Sequence, residues 1–117
     1  SLVIKKALEI YKNKDLLKIV HDPISAASGA NVLYTDVWSS MGEEKQKVEK
    51  DKVFKRFQID SNLVSEADKD VIVLHCLPAY RSKEITNEVI ESQQSRIFNQ
   101  AENRMHVQQA LLACILS

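Results

Sequence analysis

The stretch "VIVL" at residues 71–74 constrains the fold of this chain more than any other segment. A continuous run of aliphatic, mostly β-branched residues is typical of a parallel strand that is buried on both faces. The run continues directly into "HCLP" at residues 75–78, so a buried strand ends in an imidazole, a thiol and a proline. In open α/β sheets, ligands bind beyond the carboxyl ends of the strands. We therefore expect a ligand site at this edge of the sheet.

The rest of the chain alternates strand and helix patterns around this segment. Apolar runs predict further strands at residues 16–20, 31–35 and 96–99. Helical spacing and capping residues predict helices at residues 2–13, 23–28, 60–67, 86–92 and 101–116. Asp22 is the expected N-cap of the second helix, either Asp60 or Ser61 opens the third, and the helix at 86–92 is also capped. Residues 43–57 are mostly charged and have one apolar edge. This order predicts an α/β fold with an open, mostly parallel sheet of about four strands and helices on both faces, a Rossmann-like arrangement.

Composition limits the kind of partner this chain can have. Sixteen basic and sixteen acidic residues give a formal net charge of zero, which disfavours a broad nucleic-acid surface. The longest apolar runs fall well short of the roughly 20 residues that a membrane helix needs, and we expect no membrane partner and a cytoplasmic protein. Cys76 and Cys114 lie in different predicted elements, so reduced thiols are expected. A small molecule or another protein chain is the expected partner of this single domain, residues 1–117.

Polar residues with reactive chemistry follow the predicted strands. A thiolate is favoured by nearby positive charge, so Arg81 or Arg104 is expected to lower the pKa of Cys76. Arg104 is expected in the first turn of the closing helix, where its charge suggests an anionic neighbour, either Glu102 or a phosphate. Adjacent residues of a strand point to opposite faces, which argues against His75 as the base that activates Cys76.

Other uses of these residues are less well supported by the pattern. The set of His75, Cys76 and His106 lacks the ligand spacing of a zinc site, and no metal is expected. Asp36, Ser39 and Ser40 are residue types that commonly serve turns.

Three motifs in order resemble the aspartate and ornithine transcarbamoylase family, and specifically the ornithine-binding lobe of its ornithine carbamoyltransferase members. "DVWSSMG" is similar to the SMG loop of those enzymes, "HCLPAYR" to their HCLP motif, and "AENRMHVQQALL" to their closing helix. The similarity covers essentially the whole chain. This chain has Ser82 where glycine often follows the arginine in the family.

The resemblance implies a role for each matching residue. It implies that Asp36, Ser40 and Met41 hold the backbone end of ornithine, with Cys76 beside the attacking δ-amine. It also implies that carbamoyl phosphate is bound by Cys76, Leu77 and Arg104, that the catalytic residues are Cys76 and Arg104, and that the Leu77–Pro78 bond is cis. His75 and Pro78 are further candidates that shape the pocket. No metal or organic cofactor is implied.

The resemblance also implies a larger protein with a second lobe. The phosphate-binding motif Ser-x-Arg-Thr-Arg of the family's N-terminal carbamoyl-phosphate lobe does not occur in these residues, so the chain is expected to be an incomplete C-terminal domain. The family forms trimers with active sites shared between subunits, and the isolated chain is expected to be inactive. Two other functions remain open: a non-catalytic amino-acid-binding or interaction module, or a transcarbamoylase acting on putrescine or a modified ornithine.

Overall fold

A computed structural model describes residues 2–11, 16–39 and 47–117 of the protein. The chain forms six α-helices in these ranges, separated by turns and short strands. Their bounds are α1 Leu2–Ile10, α2 Pro23–Ala27, α3 Lys47–Phe54, α4 Ser61–Ser65, α5 Asn87–Ile90 and α6 Ile97–Leu116, with a 3₁₀ turn at Lys55–Phe57 after α3.

The sheet of the described residues has two strands, β1 at Val32–Thr35 and β2 at Ile72–His75. They pair in parallel, and their last residues, Thr35 and His75, lie opposite each other. The predicted α/β class with a parallel sheet is confirmed. The expected number of about four strands is wrong for the described residues, because two of the four apolar runs form no strand.

The first wrong strand is residues 16–20. Leu16 lies in a 3₁₀ turn and the next four residues have no regular structure. Leu16, Ile19 and Val20 are all exposed. A strand needs a neighbour to satisfy its backbone groups, and an apolar run cannot supply that neighbour by itself.

The second wrong strand is residues 96–99, which begin a helix. Residues 94–96 lie beside β2. Val73 N–H donates to the Gln94 carbonyl and Arg96 N–H donates to the Val73 carbonyl, each at 2.9 Å. This forms a single parallel bridge between Val73 and Ser95. Helix α6 then starts with Ile97, which is fully buried. The apolar run therefore marks the entry of a helix into the core.

Capping side chains start three helices where the sequence predicts. Asp22 accepts the N–H of Ser25 at 2.8 Å before Pro23 begins α2, and Asp60 accepts the N–H of Leu63 at 2.9 Å before α4. Thr86 caps α5 in the same way. These bonds satisfy donors that a helix N-terminus otherwise leaves unpaired.

The core lies around β2 and the segments that follow it. Val73 in the middle of β2 has no exposed surface, whereas Ile72 and Leu74, which point to the other face, are only partly buried. Full burial of β2 is therefore seen on one face, and the expectation that both faces are buried is not met in the described residues. The buried apolar residues are Ala27, Leu33, Ile59, Val71, Val73, Ile85, Val89, Ile90 and Ile97. None of the helices in the described ranges is long and apolar enough to cross a membrane.

Candidate active site

The two parallel strands bring Asp36 and Cys76 together. Thr35 and His75 are paired at the ends of β1 and β2, so the next residue of each strand leaves the sheet at the same edge. A carboxylate oxygen of Asp36, the Cys76 sulfur and a ring nitrogen of His75 all lie within 4.8 Å of one another. The expectation that polar chemistry collects at this edge is confirmed for these residues.

The contact between Asp36 and Cys76 shifts both pKa values. The hydrogen bond with the Cys76 thiol holds the pKa of Asp36 below its usual range, helped by the Val37 N–H at 2.7 Å. The same hydrogen bond, followed by burial and the charge of Asp36, raises the pKa of Cys76, while a hydrogen bond from the Tyr34 hydroxyl opposes this rise. An ionised carboxylate therefore faces a protonated thiol.

This result overturns the expectation of a thiolate stabilised by arginine. Arg81 is engaged elsewhere: it hydrogen bonds to Asn87 and to the Glu91 carboxylate, the latter at 2.7 Å. Arg104 is exposed. The charged group that acts on Cys76 is the carboxylate of Asp36, which favours the thiol.

Arg104 also occupies a different position in its helix from the one expected. Helix α6 begins at Ile97, so Arg104 lies well inside the helix and not in its first turn. The interpretation that the helix dipole calls for an anion beside it is therefore wrong. The carboxylate of Glu102, the other neighbour expected for Arg104, lies 3.6 Å from His106 Nε2.

Tyr34 and Gln100 extend the site, and the motifs alone did not single them out. Gln100 Nε2 donates to the Tyr34 hydroxyl at 2.9 Å, and Gln100 Oε1 accepts the N–H of His75 at 3.1 Å. Tyr34 precedes Asp36 by two residues, and residues two apart along a strand lie on the same face. This spacing could have predicted from the sequence that Tyr34 lies beside the site. No sequence pattern could have predicted that Gln100 lies beside the site, because its position depends on where α6 starts.

His75 points into the protein and hydrogen bonds through both ring nitrogens. Leu77 N–H donates to Nδ1 at 2.8 Å, and Nε2 lies 3.1 Å from Glu84 Oε1. His75 and Glu84 are 0% and 1% exposed. Because Nδ1 already accepts a backbone N–H, it is not free to take a proton from Cys76, and the rejection of a Cys–His nucleophile pair is supported by this geometry.

The turn after His75 has an unusual backbone. The Leu77–Pro78 bond is cis, as the resemblance implied, and Leu77 has φ of 54°. Leu77 is partly buried and packs against the core, whereas Pro78 is exposed. Leu77 therefore lies between the buried strand and the surface at which Cys76 is partly exposed.

Asp36, His75 and Cys76 also have the residue types of a metal site. A metal would have to displace either Leu77 N–H from Nδ1 or Glu84 from Nε2, because those two groups already bind the ring. The described residues at this edge thus fit a polar organic ligand better than a metal ion.

Part of the predicted site lies outside the described residues. Ser40 and Met41, expected to hold ornithine, fall in this part of the chain. Trp38, two residues before Ser40, stacks on Phe54 with ring centroids 6.4 Å apart. The segment leading to this loop is thus attached to α3.

A parallel α/β unit that brings a carboxylate and a thiol to one point at its carboxyl edge is the kind of domain that binds a small polar ligand there. The chain belongs to the aspartate/ornithine carbamoyltransferase family: the model of its Asp/Orn binding domain matches residues 1–115.

Individual relatives agree with this assignment. The chain is 74% identical over 116 residues to an ornithine carbamoyltransferase of Prochlorococcus marinus subsp. pastoris, a match that covers 99% of this chain and 38% of the relative. The structure is similar to that of ornithine carbamoyltransferase from Pyrococcus furiosus, with a TM-score of 0.74 and 49% identity over 80% of this chain and 30% of the other.

A structure of acetylornithine transcarbamylase complexed with acetylcitrulline is also similar, with a TM-score of 0.68 and 32% identity over 80% of this chain and 29% of the other. The chain spans less than two fifths of the length of these relatives.

Proposed function

We propose that this chain is the ornithine-binding, C-terminal domain of a longer ornithine carbamoyltransferase. The reaction transfers the carbamoyl group of carbamoyl phosphate to the δ-amine of L-ornithine and yields L-citrulline and phosphate. The observation that carries the proposal is the contact of Asp36 with Cys76 at the ends of paired parallel strands, in a chain of this family.

The chemistry of this pair suits the binding of an amine. Asp36 stays ionised at neutral pH and can attract a positively charged ammonium group. When the amine donates to Asp36 in place of the thiol, the Cys76 sulfur is released to accept another N–H of the same group. Because the two side chains lie close together, we propose that both meet the δ-amine, although the resemblance assigned Asp36 to the backbone end of ornithine. The ammonium group must lose a proton before it can attack, and the Asp36 carboxylate is the group placed to take that proton. Both side chains then orient the neutral amine for attack on the carbamoyl carbon.

The remaining residues are assigned to the other parts of the two substrates. We propose that Ser40 and Met41 contact the amino-acid end of ornithine, because they follow Asp36 in the SMG loop. Leu77, held at the turn beside Cys76, binds the carbamoyl group, and Pro78 shapes that turn. Arg104 is exposed on α6 and is free to reach the anionic donor, where it would stabilise the negative charge of the leaving phosphate.

The complete protein is proposed to contain a carbamoyl-phosphate lobe and to form a homotrimer in the cytoplasm. The support for a second lobe is that the chain spans 38% of its Prochlorococcus relative, and that the Ser-x-Arg-Thr-Arg motif does not occur in it. Both cysteines are free, which suits a reducing compartment.

Steady-state kinetics of the full-length protein test this proposal. We expect citrulline formation from ornithine and carbamoyl phosphate, and a fall in kcat of about a hundredfold or more for Cys76→Ala with the melting temperature little changed. Cys114→Ala is the matched control, since Cys114 is exposed at the far end of α6 and should leave the kinetics unchanged. Unchanged turnover in Cys76→Ala would refute the role of Cys76.

A modified ornithine is the second candidate substrate. The observation in its favour is the similarity to an acetylornithine transcarbamylase structure at 32% identity, which is lower than the identity to the Pyrococcus enzyme. A panel of ornithine, acetylornithine and putrescine on the full-length protein separates these substrates. If none of the three is carbamoylated, the non-catalytic binding module becomes the better description.

A further inference from the structure

We propose that Glu84 is a positioning residue of the active site, which acts through His75 to fix the backbone of Leu77 where the carbamoyl group binds. The inference deepens the proposed function and rests on it. Neither the HCLP motif nor the charge pattern singled out Glu84, which lies nine residues beyond His75 in a segment of mixed composition.

The hydrogen bonds determine which nitrogen of His75 carries the proton. A backbone N–H can only donate, so the 2.8 Å contact of Leu77 N–H with Nδ1 requires a lone pair on Nδ1. The proton of the neutral ring is therefore on Nε2, which donates to Glu84 Oε1 at 3.1 Å. Glu84 thus selects the tautomer that can hold Leu77.

The same carboxylate oxygen holds the other end of the turn. Tyr80 N–H donates to Glu84 Oε1 at 2.6 Å, while His75 reaches that oxygen from the end of β2. One buried oxygen therefore joins the residues on both sides of Leu77 and Pro78. Removing it leaves the buried Nε2–H of His75 without its acceptor, and an unpaired buried donor costs about 1–3 kcal/mol.

Leu77 needs such support because of its backbone conformation. Its φ of 54° lies in the left-handed region, which costs an L-residue about 1–2 kcal/mol. Without the bond to His75, Leu77 can relax to a negative φ, and its carbonyl would then turn away from its present direction. Asp36 directly follows β1 and its carboxylate accepts the N–H of Val37, so this relaxation would leave its position unchanged.

If Glu84 positions Leu77, its loss should weaken the binding of carbamoyl phosphate and not that of ornithine. Loss of Glu84 should disturb the carbamoyl-phosphate side of the site and spare the ornithine side. A purely structural role would instead lower stability without discriminating between the two substrates. The contrast between the two KM values distinguishes a positioning role from a general contribution to folding.

The test uses the full-length protein with Glu84→Leu and Glu84→Gln. Leu fills the space without an acceptor, whereas Gln retains Oε1. For Glu84→Leu we expect KM for carbamoyl phosphate to rise about tenfold to a hundredfold, with KM for ornithine within about twofold. Glu84→Gln should restore most of the affinity. Glu88→Leu, at an exposed carboxylate of α5, is the matched control and should change neither value.

A second pair of variants keeps the inference testable if Glu84→Leu does not fold. His75→Asn places an amide oxygen near the position of Nδ1, where it can accept Leu77 N–H, whereas His75→Gln offers a donor near Nε2 and no acceptor for Leu77. KM for carbamoyl phosphate should be nearer to wild type in His75→Asn. The reverse order would overturn the inference.

Crystal structures of Glu84→Leu and Glu84→Gln give a readout that needs no activity. We expect Leu77 to leave positive φ in Glu84→Leu and to keep it in Glu84→Gln. Leu77 unmoved in Glu84→Leu, or both KM values raised equally, would overturn the inference. An inactive wild-type protein would instead refute the proposed function, and the structures would still decide whether Glu84 holds Leu77.

Discussion

A carboxylate oxygen of Asp36 lies within 4.8 Å of the Cys76 sulfur, and hydrogen bonding with this carboxylate is the largest cause of the raised pKa of Cys76. The two residues are far apart in sequence and become neighbours because β1 and β2 end at the same level. The edge of the sheet therefore carries an ionised carboxylate beside a protonated thiol, which is the arrangement on which the proposed binding of an amine depends.

The pH dependence of Cys76 alkylation should reveal the effect of Asp36 on the pKa of this thiol. The rate of alkylation follows the thiolate fraction, which reaches one half where the pH equals the pKa. Because Asp36 raises the pKa of Cys76, Asp36→Asn should lower it, and the midpoint of the rate-versus-pH curve should move to lower pH. Iodoacetamide labelling followed by peptide mass spectrometry measures this for Cys76, with Cys114 as internal control. A midpoint that stays or moves upward would contradict the assignment.

The isolated 117-residue chain should not form citrulline. Carbamoyl phosphate is strongly anionic, and of the two arginines considered for the site, Arg81 is paired with Glu91 and Arg104 is exposed on α6. Arg104 alone brings one positive charge to this donor, so binding it would also need groups outside this chain. A colorimetric citrulline assay, with the full-length protein as positive control, tests this expectation. Robust turnover by the chain alone would argue against a required second lobe.

Ser82→Gly should stabilise the protein. Ser82 has φ of 70°, a conformation that glycine adopts without a steric penalty, and its side chain is exposed. The gain from relieving this strain exceeds the entropy that glycine loses on folding, for a net increase of about 0.5–1 kcal/mol in the free energy of unfolding. Ser65→Gly, in helix α4, is the matched control and should lower stability. Denaturant titration gives both values, and a loss of stability in Ser82→Gly would contradict the expectation.

The exposed surface of α6 should make the isolated chain associate. Within this fully described helix Ile97 is the only buried residue, and Val107, Leu111 and Ile115 form an apolar row that is 67%, 57% and 68% exposed. Such a surface usually marks an interface.

Light scattering and binding of a hydrophobic dye should both decrease in the double variant Leu111→Glu/Ile115→Glu. The matched control is Gln108→Glu/Gln109→Glu, which adds the same charge to the same helix but removes no apolar side chain. A strictly monomeric wild-type chain that binds no dye would contradict this expectation.

Local sequence predicted those parts of the fold that depend on neighbouring residues. The helix caps at Asp22, Asp60 and Thr86 were readable because a capping side chain binds a backbone N–H only three residues away. Strand β2 was readable because an uninterrupted run of aliphatic, mostly β-branched residues favours a strand in the core. The family motifs added the cis Leu77–Pro78 bond, which the residue pattern alone does not reveal.

The amino-acid sequence by itself thus determined the class of fold, the family and the edge of the sheet that carries the reactive residues. Tertiary structure decided which groups meet there. Cys76 faces the carboxylate of Asp36 instead of an arginine, and Glu84 binds the ring of His75. It also decided that a helix starts at Ile97, because the backbone at residues 94–96 pairs with Val73 in place of residues 96–99. The physical reason is common to all three cases. Long-range pairing depends on the register of segments distant in the chain, and residue type alone does not encode that register.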